Sequence, residues 1–91
     1  MPTVHLRVKG KVQGVFYRAS AKDIAEELGV TGWIKNTEDG DVEIKATGSK
    51  EQLEKFIEWC KTGPRRAIVS GVEITNVEEA NFKTFDVIRR S

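Results

Sequence analysis

The chain has 91 residues, 38% hydrophobic and 32% charged, with a net charge of +1. That size and balance point to one domain around one modest core and exclude disorder, while the near-zero charge offers no broad field to draw in nucleic acid or a membrane surface. Cys60 is the only cysteine, which excludes an internal disulfide and fits a reducing compartment. With no charged-then-apolar leader and no apolar run near the ~20 residues of a membrane span, the expectation is a cytoplasmic protein.

Val4, Leu6 and Val8 alternate with His5, Arg7 and Lys9, which predicts a half-buried strand. A glycine-bearing stretch follows, Gly10-Lys11-Val12-Gln13-Gly14-Val15-Phe16-Tyr17-Arg18. Ala21, Ile24, Ala25 and Leu28 then fall at helical spacing, predicting a helix over 19–28 with Gly29 as its C-terminal cap. Val30 to Asn36 reads as a second strand and Thr37-Glu38-Asp39-Gly40 as a hairpin turn. Val42, Ile44 and Ala46 line the buried face of the returning strand. Ser49 to Gln52 matches a capping box, Leu53, Phe56, Ile57 and Cys60 make the stripe of a second helix, and Gly63-Pro64 ends it. Trp59 lies off that stripe and is expected to be partly exposed. Ile68 to Val77 is a further strand with Gly71 as a candidate bulge, and Phe85 to Arg89 a short last one. The order is β-α-β-β-α-β plus a terminal strand. Half-polar strands leave only one sheet face for helices to cover. The predicted fold is therefore α+β, a ferredoxin-like split β-α-β sandwich: an antiparallel sheet of four to five strands with two helices on one face.

Few groups on this chain are equipped for chemistry. His5 stands alone on the polar face of the first strand, so metal-ligand spacing and a Ser-His-Asp or Cys-His set are both absent. Cys60 falls on an apolar stripe and reads as a core thiol. Glu26, Glu27, Glu54 and Glu58 read as solvated helix faces and Asp39 as a turn former. The stretch from Gly10 to Arg18 is different, because it joins a strand to a helix. Glycines let backbone amides approach a ligand, the first helical amides have no partner inside the helix, and Arg18 adds a forked, permanent charge. That combination fits an anion cradle; the plainer reading of the spacing alone is a glycine connection with a solvated arginine. Asn36, at a strand end, is either a turn former or a functional amide. Trp33 and Trp59 read as packing or stacking residues.

The stretch from Gly10 to Arg18 resembles the G-x-V-Q-G-V-x-x-R signature of the common-type acylphosphatases. Gly32-Trp33-Ile34-Lys35-Asn36-Thr37 with Asp39-Gly40 is similar to that family's G-W-[VI]-[KR]-N block. Gly63-Pro64 with Ala67 and Val69 resembles the segment leading into its fourth strand. The resemblance covers nearly the whole length and implies a single acylphosphatase-like domain over residues 1–91. It implies hydrolysis of acyl phosphates to a carboxylate and inorganic phosphate, with no metal and no cofactor. Arg18 is then expected to bind the phosphoryl oxygens. Backbone amides of Lys11, Val12, Gln13, Gly14, Val15 and Phe16 complete the phosphate-binding loop, Asn36 holds the attacking water, and Thr37 supports Asn36. Small-molecule substrate and product are the only implied partners, with neither nucleic acid nor membrane, and the protein is expected to be a monomer.

The implied chemistry suits the residues available. Phosphoryl transfer has a loose transition state that asks chiefly for positioning and charge stabilisation, and a carboxylate leaves without a general acid. An RNA-binding module of the same element order needs base-stacking aromatics on its two central strands. The candidates, Val4 to Val8 and Val42 to Ala46, carry none. A non-catalytic anion-binding or regulatory domain would keep Arg18 and the loop but has no use for a water-holding Asn36. An acylphosphatase-like domain inside a larger carbamoyl-transfer protein is a related alternative, against which the short chain argues for a stand-alone enzyme.

Overall fold

A computed structural model describes residues 1–89, so the last two positions of the expected 1–91 domain lie outside the described residues. The elements run β1 (Thr3–Lys11), α1 (Tyr17–Leu28), β2 (Thr31–Asn36), β3 (Val42–Thr47), α2 (Lys50–Thr62), β4 (Ile68–Val77) and β5 (Phe85–Ile88). They build one five-stranded sheet in the order β4-β1-β3-β2-β5. The ferredoxin-like α+β order is as predicted, but the sheet is mixed rather than antiparallel, because β5 pairs parallel to β2. The cause is the path of the chain. β4 lies antiparallel to β1 at one edge, and residues 78–84 then cross the end of the sheet to the opposite edge. That crossing brings β5 in alongside β2, running the same way. Thr3 and Thr47 hold the crossing in place: their hydroxyls lie 2.8 Å apart, Thr47 donates to the Ala80 carbonyl (2.8 Å), and the Ala80 amide donates to Thr3 (2.9 Å).

Both helices bury their stripes in one core with the apolar face of the sheet. Val4, Leu6, Val8, Ile34, Val42, Ile44 and Ala46 from the strands meet Tyr17, Ala21, Ala25, Leu53, Phe56 and Cys60 from the helices. Phe56 meets Phe85 edge-on with ring centres 5.6 Å apart. Helix α1 starts at Tyr17, earlier than predicted, because Tyr17 is an anchor: its ring is buried and its hydroxyl donates to the Cys60 carbonyl at 2.7 Å. Half-buried Trp59 packs on that ring at 5.4 Å. Gly29 caps α1 as expected, and Ser49 and Gln52 form the full capping box of α2. Cys60 is a core thiol, pushed up to about 12 by burial. The bulge falls one residue before Gly71: Lys9 pairs with Gly71 and Gly10 with Val69, leaving Ser70 extra. No described helix is long and apolar enough to cross a membrane.

The other sheet face is polar. His5 and Glu43 are hydrogen-bonded at 2.6 Å, and Lys35 reaches Glu43 at 3.6 Å. Arg7 binds Asp41 at 2.9 Å and Asp39 at 2.8 Å, and Lys9 binds Asp41 at 3.2 Å. The His5 hydrogen bond, with the Lys35 charge behind it, holds the Glu43 carboxyl below its ordinary value of 4.5.

Three expectations concern stability. Gly32 has φ +143°, and a Cβ there would lie 1.9 Å from the Lys45 carbonyl oxygen of the paired strand. Gly32→Ala is expected to lose about 3 kcal/mol or more. Gly71→Ala, whose Cβ meets nothing within 4 Å, should stay within about 0.5 kcal/mol of wild type in urea unfolding. A depressed folded-state value means that the Glu43 contribution is present above about pH 4.5 and is lost as pH falls through the folded value. Between pH 7 and pH 3, Glu43→Gln should therefore lose less stability than wild type, by at most about 1 kcal/mol. Equal losses in the two proteins would assign the acid sensitivity to other carboxylates.

Candidate functional site

Strands β1, β2 and β5 run in one direction, so their C-terminal ends meet at the same end of the sheet. The 12–16 loop leaves β1 there, Asn36 ends β2, and Arg89 follows β5. Between them lies a cavity of about 470 Å³, lined by Val12, Gly14 and Phe16 of the loop, by Tyr17, Arg18 and Ala19 of the first turn of α1, and by Asn36 and Arg89.

The loop is shaped by how it enters and leaves. At its entry Gly10 lies against β4, where a Cβ would come within 2.1 Å of the Ile68 carbonyl oxygen, so only glycine fits this approach. At its exit the first helical hydrogen bond runs from the Ser20 amide to the Phe16 carbonyl at 3.1 Å. Among the described residues, no backbone amide from Gly14 to Ala19 donates a hydrogen bond. These amides sit at the positive end of the α1 dipole, the arrangement that receives anions. Arg18 is half-buried beside them and has no carboxylate partner among the described residues. Its Nη1 lies 3.5 Å from the Ile88 carbonyl, the outer limit of a hydrogen bond.

Asn36 faces Val42 across the hairpin. Its Oδ1 is buried and has no hydrogen-bond partner among the described residues. Leaving such an acceptor unmatched costs a fold about 1–3 kcal/mol, so the atom is open to a donor that enters the cavity. Thr37 serves the turn instead. Its hydroxyl donates to the Asp39 carboxylate and accepts from the Asp41 amide at 3.0 Å. The Thr37 hydroxyl, with Arg7 behind it, lowers the Asp39 carboxyl below the usual range.

Gln13 joins the two halves. Its Nε2 donates to the Thr37 carbonyl at 2.9 Å and to the Asp41 carbonyl at 2.8 Å, strapping the loop to the hairpin that carries Asn36. Of the residues singled out from sequence, Val12, Gly14, Phe16, Arg18 and Asn36 line the cavity together. Lys11 instead pairs with Ile68 in the sheet, Val15 is buried, and Thr37 lies in the turn. Sequence reasoning missed the Gln13 side chain, and Tyr17, Ala19 and Arg89 as lining. Tyr17 and Ala19 follow once the helix start is known, whereas Arg89 carries no local signal. Among the described residues no three His, Cys, Asp or Glu side chains group as metal ligands.

Known proteins resemble this chain closely in sequence and fold. The acylphosphatase family model matches residues 4–87. An acylphosphatase of Thermus thermophilus is 51% identical over 87 residues, 96% of this chain and 99% of that one. One from Methylococcus capsulatus is 44% identical over 90 residues, 98% of each chain. The crystal structure of acylphosphatase from Bacillus subtilis superposes with a TM-score of 0.94 at 31% identity, covering 98% of this chain and 100% of that one.

The Gln13 strap is testable by itself. Gln13→Glu keeps the shape but turns acceptor oxygens toward two carbonyls. It is expected to lose about 1–3 kcal/mol and to speed hydrogen exchange at the Thr37 amide, which is bound to the Asp41 carbonyl at 2.9 Å. Unchanged exchange there would mean that the turn stands without Gln13.

Proposed function

We propose a catalytic site for this chain, which belongs to the acylphosphatase family and hydrolyses acyl phosphates to a carboxylate and inorganic phosphate. The site is the cavity between the 12–16 loop and Asn36. Arg18 grips the phosphoryl oxygens with its forked N–H groups, and amides of the 12–16 loop, extended by those of Tyr17 to Ala19, complete the phosphate-binding loop. Asn36 holds the attacking water, and Thr37 keeps the hairpin that presents it. The water oxygen attacks phosphorus, the bond from phosphorus to the acyl oxygen breaks, and the carboxylate leaves with the electron pair. The water proton ends on the phosphate. The transition state is loose, so fixed donors around the three equatorial oxygens supply the main stabilisation, and neither a metal nor an acid-base side chain is required.

The observation that carries this reading is the run of amides from Gly14 to Ala19 with no hydrogen-bond acceptor among the described residues, opening on a cavity that also holds Arg18 and Asn36. The unmatched Oδ1 of Asn36 supports a role in holding water. We also read the protein as a cytoplasmic, monomeric, single-domain enzyme. The lone, buried Cys60 thiol and the near-neutral charge support that placement.

The test is hydrolysis of benzoyl phosphate with a chelator present. Wild type should turn over undiminished. Asn36→Ala should lose about 10²–10³-fold in rate, the usual worth of one such group, and still be inhibited by inorganic phosphate. Arg18→Ala should lose turnover and phosphate inhibition together, and Arg18→Lys should be poor because a point charge does not reproduce the fork. Wild-type rates in Asn36→Ala would remove the water-holding role. A folded wild type that binds phosphate without turnover would leave a non-catalytic anion-binding domain.

A further inference from the structure

Phe16 is the only described non-glycine residue with a positive φ (64°). It stands at the N-cap of α1, in the left-handed conformation, and makes no side-chain capping bond. Ser, Thr, Asp or Asn would cap this helix, and glycine would accept this backbone without strain. Phenylalanine does neither. Its side chain also stays out of the core, with 76% of the residue exposed, so its apolar surface remains in water. Three choices that folding disfavours therefore meet at one position, and that position lines the cavity with Arg18 and Asn36. Strain kept at such a place points to function.

The cavity has room for more than a phosphoryl group. At about 470 Å³ it falls within the range of small-molecule sites, roughly 300–1,000 Å³. Exposed Ala19 adds apolar surface to its lining beside the ring, whereas Val12 and Tyr17 close it from the buried side. An acyl phosphate has two ends: the phosphoryl group belongs to the amides and Arg18, and the acyl group needs a wall of its own. We propose that the Phe16 ring is that wall, forming an acyl subsite that favours aromatic and apolar acyl groups over small or charged ones. This rests on the reading of the cavity as the acyl phosphate site.

The experiment compares kcat/KM for benzoyl phosphate with that for acetyl phosphate and follows their ratio. Phe16→Ala should lower the ratio about tenfold, the worth of one aromatic contact. Phe16→Trp should retain it. Phe16→Gly should lower the ratio equally while raising the unfolding midpoint by about 4 °C through relief of the backbone strain. A purely structural role would slow both substrates alike and leave the ratio unchanged, which overturns the proposal. So does a lower midpoint in Phe16→Gly, which would show that the ring is kept for folding. A ratio that responds to Arg89→Gln and not to Phe16→Ala would put the acyl group on the opposite wall. Undiminished turnover in Arg18→Ala and Asn36→Ala would defeat the reading of the cavity itself, whatever the ratio does. Loss of turnover in both, with a ratio indifferent to Phe16, defeats the acyl wall alone.

Discussion

Strand β1 is paired on both sides, to β3 and to β4, and its inward residues Val4, Leu6 and Val8 are buried in the core. That double pairing leaves β1 no freedom of position. The loop that leaves its end inherits this fixity, and so does the helix behind the loop. Gly10 tightens the arrangement by bringing backbone against backbone at the point where the loop begins. On the far side β3 carries β2, so the end of β2 is set relative to the same strand. Arg18 and Asn36 therefore meet because one strand fixes both of their supports, and Gln13 closes the remaining gap between loop and hairpin.

The two ends of the sheet treat polar groups in opposite ways. At one end Thr3, Thr47 and Ala80 satisfy one another in a closed network, and the crossing chain is held there by matched donors and acceptors. At the other end, among the described residues, amides stand without acceptors, Asn36 Oδ1 stands without a donor, and Phe16 keeps a left-handed backbone. Among the described residues, the one non-glycine positive φ and the one buried side-chain atom without a partner both fall at this end, apart from the network that holds the crossing.

Much of this was legible in the chain. Alternation in 4–8 and 42–47 gave the strands, the Ser49–Gln52 pair gave a helix start, and the likeness of the loop and of Asn36 to a family pointed to the cavity that Val12, Gly14, Phe16, Arg18 and Asn36 line together. Other features were not, for physical reasons. The start of α1 depends on Tyr17 reaching the Cys60 carbonyl, a contact across 43 residues that no local pattern announces. The parallel pairing of β5 depends on a crossing held by Thr3 and Thr47, both remote in sequence from the segment they hold. The Gln13 side chain's task was not legible because its partners are backbone carbonyls, which every residue offers alike. The strain at Phe16 is a property of φ, not of composition.

The polar face of the sheet bears on what the molecule can become. Arg7 and Lys9 from β1, Lys35 from β2 and Asp41 and Glu43 near or in β3 form ion pairs across three adjacent strands, and His5 is hydrogen-bonded to Glu43. Each pair contributes little to folding while water covers it. A second layer laid on this face would strip that water from every charge at once, at several kcal/mol per ion before any attraction is counted. The face thus acts as a solvation barrier that keeps the sandwich two layers thick.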